Sequence, residues 1–131
     1  MKLREFLTES YTAYVVDQLS RRKLEQMFPP KYPVWIGQHI TVDFGVSRDT
    51  PPPPMPQRVI VYGYADDGNS IEALAVEVDG QRKRPDGKLY HITWSLDSTK
   101  RKPKDSNLLL QSHPIQPVPT VEIQIHPMVL D

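Results

Sequence analysis

Two pairs of residues in this chain have the types and spacing needed for acid–base chemistry: His39 with Thr41, and His91 with Thr93. Each pair encloses one isoleucine and is followed by a large apolar residue. This alternation is typical of a β-strand with one buried face, on which the imidazole and the hydroxyl point the same way. Two such strands side by side would present two imidazoles and two hydroxyls to one cleft. That set of groups predicts chemistry on a phosphate ester.

Hydrolysis of a phosphodiester or a 2′,3′-cyclic phosphate needs a proton acceptor for water and a proton donor for the departing oxygen. It also needs hydrogen-bond donors for the charge that grows on the phosphate oxygens. Two histidines near their ordinary pKa supply both proton transfers at neutral pH, one entering neutral and the other protonated. The two threonine hydroxyls supply the donors. The sequence does not indicate which histidine is the base and which is the acid.

This chemistry requires no metal and no cofactor, and we expect neither. The alternative is a zinc site that combines the two motif histidines with His113 and His126, because histidine is a common zinc ligand. The spacing of these four residues does not match a known set of ligands.

The elements that position the two pairs are short and mostly extended. The apolar patterns predict one longer helix at residues 17–28, a short helix at 1–10 and a helical turn at 105–110. A proline-rich stretch at 45–57 predicts a stiff, extended loop. The predicted strands are residues 11–16, 38–44, 58–65, 70–78, 89–96 and 120–125. With strands outnumbering helices, the 131 residues predict a single α+β domain over 1–131 with a mostly antiparallel sheet.

Composition restricts the ligand and the location. Lys plus Arg equals Asp plus Glu at 16 each, so the chain lacks the overall positive charge that attracts long nucleic acids, and a local site must hold any nucleotide. The absence of cysteine excludes disulfides, thiolate metal ligands and a cysteine nucleophile. No apolar run approaches the roughly 18 residues of a membrane span, and the first residues lack the apolar core of a signal peptide. We therefore expect a cytoplasmic protein with no membrane partner.

Several stretches resemble the two-histidine phosphoesterase superfamily, in the branch related to tRNA ligases and RNA repair. Residues 33–45 resemble the first motif of that branch, and residues 73–78, 91–93 and 102–107 resemble its second half; the resemblance spans residues 11–112. It implies a bilobal sheet fold with the two motifs on facing central strands. It also implies that the two histidines form the acid–base pair and that the two threonines bind phosphate. The interval between the motifs is shorter than in many members, which predicts a reduced lobe.

Four further residues are candidates for substrate binding. Trp35 either stacks on a nucleobase or packs in the core, whereas Trp94 alternates with the motif residues on its strand and should be buried. Lys102 either contacts phosphate or belongs to a solvated turn. Ser106 and Asn107 either cap the helical turn or hold the loop beside His91.

The expected function is therefore that of a metal-independent phosphodiesterase that hydrolyses 2′,3′-cyclic phosphate ends of RNA or small nucleotides. One alternative within the same chemistry is a phage counter-defence enzyme that cleaves cyclic or 2′-5′-linked oligonucleotide signals. Another, from a different class, is a nucleotide-binding module without turnover. The expected partner is an RNA end or a small nucleotide, and the sequence gives no oligomeric state.

Overall fold

The computed structural model describes residues 10–131, so the helix predicted for residues 1–10 lies outside the described residues except at Ser10. The described part of the chain forms eight strands and two α-helices. The helices are α1 (Gln18–Met27) and α2 (Ser106–Ser112), and a 3₁₀ turn at Pro103–Asp105 leads into α2. The strands are β1 (Ser10–Val16), β2 (Val34–Trp35), β3 (His39–Val46), β4 (Val59–Asp66), β5 (Ile71–Val78), β6 (His91–Leu96), β7 (Gln116–Ile123) and β8 (Ile125–Leu130).

All eight strands belong to one sheet in the order β7-β4-β5-β6-β3-β1-β8, with β2 paired to β6. Every pairing is antiparallel. The predicted α+β class with a mostly antiparallel sheet is therefore confirmed. The two strands that carry the His-Ile-Thr motifs, β3 and β6, are neighbours in this order. Their ladder is short, since Ile40 opposite Ile92 is the pair that joins them.

The last two strands lie at the two opposite edges of the sheet. β7 and β8 follow each other with only Gln124 between them, yet they pair at opposite ends of the strand order. The chain therefore crosses from one sheet edge to the other, and the sheet curls. Helix α1 lies at this corner, where the Asp17 backbone N–H donates to the Gln124 carbonyl (3.0 Å) and the Gln124 N–H donates to the Ser20 hydroxyl (2.8 Å).

Strand β8 was missing from the sequence prediction, which ended the last strand at residue 125. β8 contains Pro127, and a proline cannot donate to a sheet ladder and usually ends a strand. In the structure β8 pairs with β1 and lies at the end of the strand order, where a proline is tolerated.

One face of the curled sheet carries the main core. Trp94 is fully buried there, as predicted, and its indole N–H donates to the Phe28 carbonyl (2.7 Å). Helix α1 adds Leu24 to this core, but its Leu19 is 78% exposed, so α1 packs through a narrower stripe than the sequence indicated. The opposite face is covered in part by α2 through a smaller apolar cluster that includes Leu109 and Leu110.

A buried polar network fixes the segment that leads into β2. Glu72 is buried and accepts hydrogen bonds from the Tyr64 hydroxyl (2.5 Å), the Lys31 backbone N–H (2.8 Å) and the Ser95 hydroxyl. The Ser95 hydroxyl in turn accepts from the Tyr32 backbone N–H (3.0 Å). Because a buried carboxylate is stable only when its oxygens are hydrogen-bonded, this network orders the chain just before Trp35.

Candidate active site

The two motif pairs meet at one pocket. Ile40 and Ile92 lie opposite each other and are both fully buried in the main core, so their neighbours point to the other face of the sheet. The antiparallel register about this pair brings each histidine next to the threonine of the other motif. The resulting pocket has a volume of about 310 Å³. Its wall is formed by Val34, Trp35, Ile36, Gln38, His39, Thr41, His91, Thr93 and Pro103.

His91 is held in one tautomer. Its Nδ1 lies 3.0 Å from the Leu89 carbonyl oxygen, and because a carbonyl only accepts, Nδ1 must carry the proton of the neutral ring. Nε2 is then unprotonated and is able to accept a proton. Burial lowers the pKa of His91 to about 4, and the nearby charges of Arg84 and His39 act in the same direction, against the bond to Leu89, which raises the pKa. At neutral pH the ring is therefore uncharged.

His39 is less enclosed than His91. Burial also lowers the pKa of His39, although it remains partly exposed. The ring of Tyr11 packs against it at 5.3 Å between centroids, with the planes tilted by 43°. Burial thus acts against protonation of both histidines, whereas the sequence predicted one neutral and one protonated ring. A bound phosphate would raise the pKa of both rings, and because His39 is the more exposed of the two, it would be the one to protonate first.

The hydroxyl of Thr93 is already engaged. It donates to the Pro103 carbonyl (3.1 Å) and lies 2.8 Å from the Ser106 hydroxyl, which is fully buried. Since a hydroxyl has one proton, the proton between Thr93 and Ser106 belongs to Ser106. Ser106 therefore lies behind Thr93, joins it to α2, and does not face the pocket. A phosphate oxygen must take the place of the Pro103 carbonyl if it is to accept from Thr93.

Trp35 forms both a wall of the pocket and an edge of the core. The guanidinium of Arg21 lies 3.6 Å above its ring, and Trp94 meets it edge-on at 5.7 Å between centroids. One face of the indole is thus covered by a cation, which leaves less of the ring free to stack on a base. The indole N–H of Trp35 is buried, and within residues 10–131 it has no hydrogen-bond partner.

Two other predicted binding residues lie away from this pocket. Lys102 is exposed, and its neighbour Pro103 forms part of the pocket wall instead. Asn107 donates from Nδ2 to the Lys104 carbonyl (3.2 Å) and lines a separate cavity with Lys83 and Lys88. The structure brings Trp35 into the pocket and leaves these two outside its wall.

Sequence reasoning missed two arginines that shape the site. Arg21 belongs to the helix predicted for residues 17–28, where a charged side chain is expected to face water, but its Nε and Nη2 donate to the carbonyls of Gly37 (3.0 Å) and Ile36 (2.9 Å). Arg84 lies in the polar stretch between the strands predicted for residues 70–78 and 89–96, but its side chain is only 2% exposed and its Nε donates to both carboxylate oxygens of Asp86 (2.9 and 3.1 Å). The sequence does contain a signal for the contact of Arg84: residues 84–87, Arg-Pro-Asp-Gly, favour a turn that brings the Asp86 carboxylate close to the Arg84 guanidinium.

Comparison of the chain with protein-family models, with curated proteins and with solved structures gave no match. Within residues 10–131, no group of three or more histidine, aspartate or glutamate side chains is arranged to hold a metal ion. Neither helix of that range is long and apolar enough to cross a membrane. The family assignment thus stays a prediction from the motif residues.

Proposed function

We propose that this protein is a metal-independent phosphodiesterase that hydrolyses 2′,3′-cyclic phosphate ends of RNA or small cyclic nucleotides. The observation that carries the proposal is that both His-x-Thr pairs line one pocket, in which the contact between His91 Nδ1 and the Leu89 carbonyl makes Nε2 the proton acceptor of the neutral ring. The balanced charge of the chain favours a small ligand over long RNA, since long RNA gains affinity from an extended basic surface.

The proposed reaction divides the proton transfers between the two histidines. His91 accepts a proton from the attacking water through Nε2 while the water oxygen bonds to phosphorus. Bound phosphate raises the pKa of His39, which becomes protonated and donates to the ester oxygen as its bond to phosphorus breaks. The hydroxyls of Thr41 and Thr93 donate to the non-bridging oxygens, where the negative charge increases. One P–O bond forms, one breaks, and the proton count is unchanged.

The finer fold assignment is part of this proposal. A bilobal two-histidine phosphoesterase arrangement needs the two motifs on facing central strands. It is supported by the adjacency of β3 and β6 in the strand order and by the shared pocket between them.

The test is an assay with 2′,3′-cyclic nucleotides, an RNA oligonucleotide that ends in a cyclic phosphate, cyclic dinucleotides and 2′-5′ oligoadenylate. Each is incubated with and without EDTA. We expect a phosphomonoester product that is insensitive to EDTA, and a loss of about 10²-fold or more in His39→Ala and His91→Ala. The matched control is His113→Ala, which removes an exposed histidine at the end of α2 that does not line the pocket.

Two results would contradict the proposal in different ways. If the wild type binds these nucleotides but turns over none of them, the protein is a nucleotide-binding module. If turnover appears only when a metal ion is added, the metal-independent mechanism is wrong, while the assignment as a phosphodiesterase stands.

A further inference from the structure

The proline-rich segment between β3 and β4 has no part in the proposed reaction. Residues 51–56 are Pro-Pro-Pro-Pro-Met-Pro and lie outside every helix and strand of the described chain. Each proline fixes its own φ at about −65° and restricts the residue before it to extended conformations. Successive prolines therefore favour a polyproline II helix, which has three residues per turn and no internal hydrogen bonds.

Burial along this segment has the period of a polyproline II helix. Every third residue from 50 to 59 is half-buried or buried: Thr50, Pro53, Pro56 and Val59. The residues between them are all exposed. Because such a helix completes a turn in three residues, this period means that one of its three edges rests on the protein. The other two edges face solvent, and they carry Pro51 with Pro54 and Pro52 with Met55.

Both ends of the segment are fixed to the folded domain. At the end next to β4, Oδ1 of Asp79 accepts from the backbone N–H groups of Gln57 (2.9 Å) and Arg58 (2.8 Å). At the other end, the Thr50 N–H donates to the Ser47 carbonyl (3.0 Å). A helix held at both ends has little conformational freedom left to lose when a partner binds it, and this lowers the entropic cost of binding.

We propose that residues 51–55 are a docking site for a protein domain that binds polyproline II helices in a groove lined by aromatic side chains. Grooves of this kind accept an extended proline-rich segment whose conformation is already formed. Residues on the same free edge lie about 9 Å apart, which is the length of one turn. The proline rings and the Met55 side chain, 60% exposed, supply the apolar surface that the aromatic side chains would cover. This inference does not depend on the proposed function.

Arg58 gives the docking site one charged end. Its side chain is 65% exposed, and its ion pair with Glu122, at 3.6 Å from Nε to Oε1, is exposed and hence weak. Arg48, which precedes the prolines, is instead held by two hydrogen bonds to Asp131 (3.2 and 2.8 Å). The more readily available cation therefore lies at the β4 end. This asymmetry predicts a partner with carboxylates at one end of its groove, and hence a single direction of docking.

NMR tests the docking site on the intact protein. The ¹⁵N-labelled chain is titrated with SH3, WW and EVH1 domains, three kinds of domain that bind such helices. We expect at least one of them to bind with a Kd of about 100 μM or tighter. Binding should shift the amide signals of Met55, Gln57 and Arg58. The signals of the two motif pairs should stay unchanged.

Substitutions on a free edge distinguish docking from unspecific contact. Pro54→Ala should weaken binding by about tenfold, which corresponds to about 1.4 kcal/mol. Pro51→Ala, on the same edge, repeats the test, and unchanged signals of the sheet verify that each variant is folded. The matched control is Pro119→Ala, which removes an exposed proline of β7 and should leave the Kd unchanged.

The charged end is tested separately. Arg58→Gln should weaken binding by about threefold at low salt, the effect of one exposed ion pair. At about 1 M salt, where charges are screened beyond about 3 Å, the variant and the wild type should bind alike. A Kd that Arg58→Gln leaves unchanged at low salt would overturn the predicted carboxylates of the partner.

Three results would overturn the docking site itself. They are no binding of any of the three domains at up to about 1 mM, binding that both proline variants leave unchanged, and shifts that map away from residues 50–58. The segment would then be a rigid spacer between β3 and β4. None of these measurements depends on turnover, so a failure of this inference is distinct from a failure of the proposed function.

Discussion

The burial of His91 predicts a measurable dependence of stability on pH. Its pKa is about 4 in the folded protein, whereas the ordinary value of histidine in an unfolded chain is about 6.5. Below pH 6.5 the unfolded chain binds a proton that the folded protein does not, so the free energy of unfolding falls with pH until the folded ring also titrates near pH 4. At about 1.4 kcal/mol per pKa unit, the loss from this residue is about 3 kcal/mol.

The measurement is urea unfolding of the wild type and His91→Asn at pH 7, 6, 5 and 4. Asparagine removes the titrating group, and its amide nitrogen occupies the position of Nδ1 and keeps a donor for the Leu89 carbonyl. Other groups contribute equally to both proteins, so the difference between the two curves isolates His91. We expect the wild type to lose about 3 kcal/mol more than the variant between pH 7 and pH 4. His126→Asn, at an exposed histidine, separates this effect from the loss of any histidine.

A difference that stays constant from pH 7 to pH 4 would refute the reasoning. It would mean that His91 titrates alike in the folded and unfolded protein. The conclusion that burial keeps the His91 ring uncharged well below its ordinary pKa would then be wrong, whereas the tautomer set by the Leu89 carbonyl would stand. Titration of the imidazole carbon protons by NMR gives the pKa of His91 in the folded protein directly. It shows whether burial lowers this pKa or whether another group offsets the effect of burial.

Two further predictions concern the walls of the site. Gly37 has a φ of +50° and an added Cβ would lie 2.6 Å from the Trp94 ring, whereas Gly45 has a φ of +68° and open space around it. Gly37→Ala should therefore lower the free energy of unfolding by about 2 kcal/mol more than Gly45→Ala in urea titrations. Equal losses would show that the rings of Trp35 and Trp94 move aside without a loss of stability. Ser106→Ala removes the donor to Thr93, so kcat should fall by about tenfold while the free energy of unfolding drops by about 1 kcal/mol. Unchanged turnover on a cyclic nucleotide would show that Thr93 does not need the hydrogen bond from Ser106 to act on the phosphate.

The local features of the site were predictable from the sequence, because a His-x-Thr pair on an alternating strand fixes which side chains share a face. The same alternation identified Trp94 as a core residue. These inferences depend only on residues that lie close together in the sequence.

The features that depend on distant contacts were not predictable. Nothing in the residues around Arg21 indicates that its guanidinium will reach Gly37 and stack on Trp35, since that contact depends on how α1 packs against the sheet. Arg84 looked like a solvated loop residue for the same reason. The pairing of β8 with β1, at the edge of the sheet opposite β7, is likewise not revealed by the order of elements along the chain.

The position of β8, the last strand of the chain, at the edge next to β1 also affects the order in which the sheet forms during synthesis. Tyr11 pairs with Leu130, so β1 cannot complete its ladder until β8 has left the ribosome, and closing so long a loop is slow. β3 is joined to β6 through a single residue pair but to β1 over most of its length, so the position of His39 depends mainly on the pairing with β1. The β1–β3 ladder lies within residues 10–46 and can form early, whereas the β1–β8 ladder must wait for residues 125–130. The strand that holds His39 should therefore reach its place before the edge of the sheet at β8 is complete.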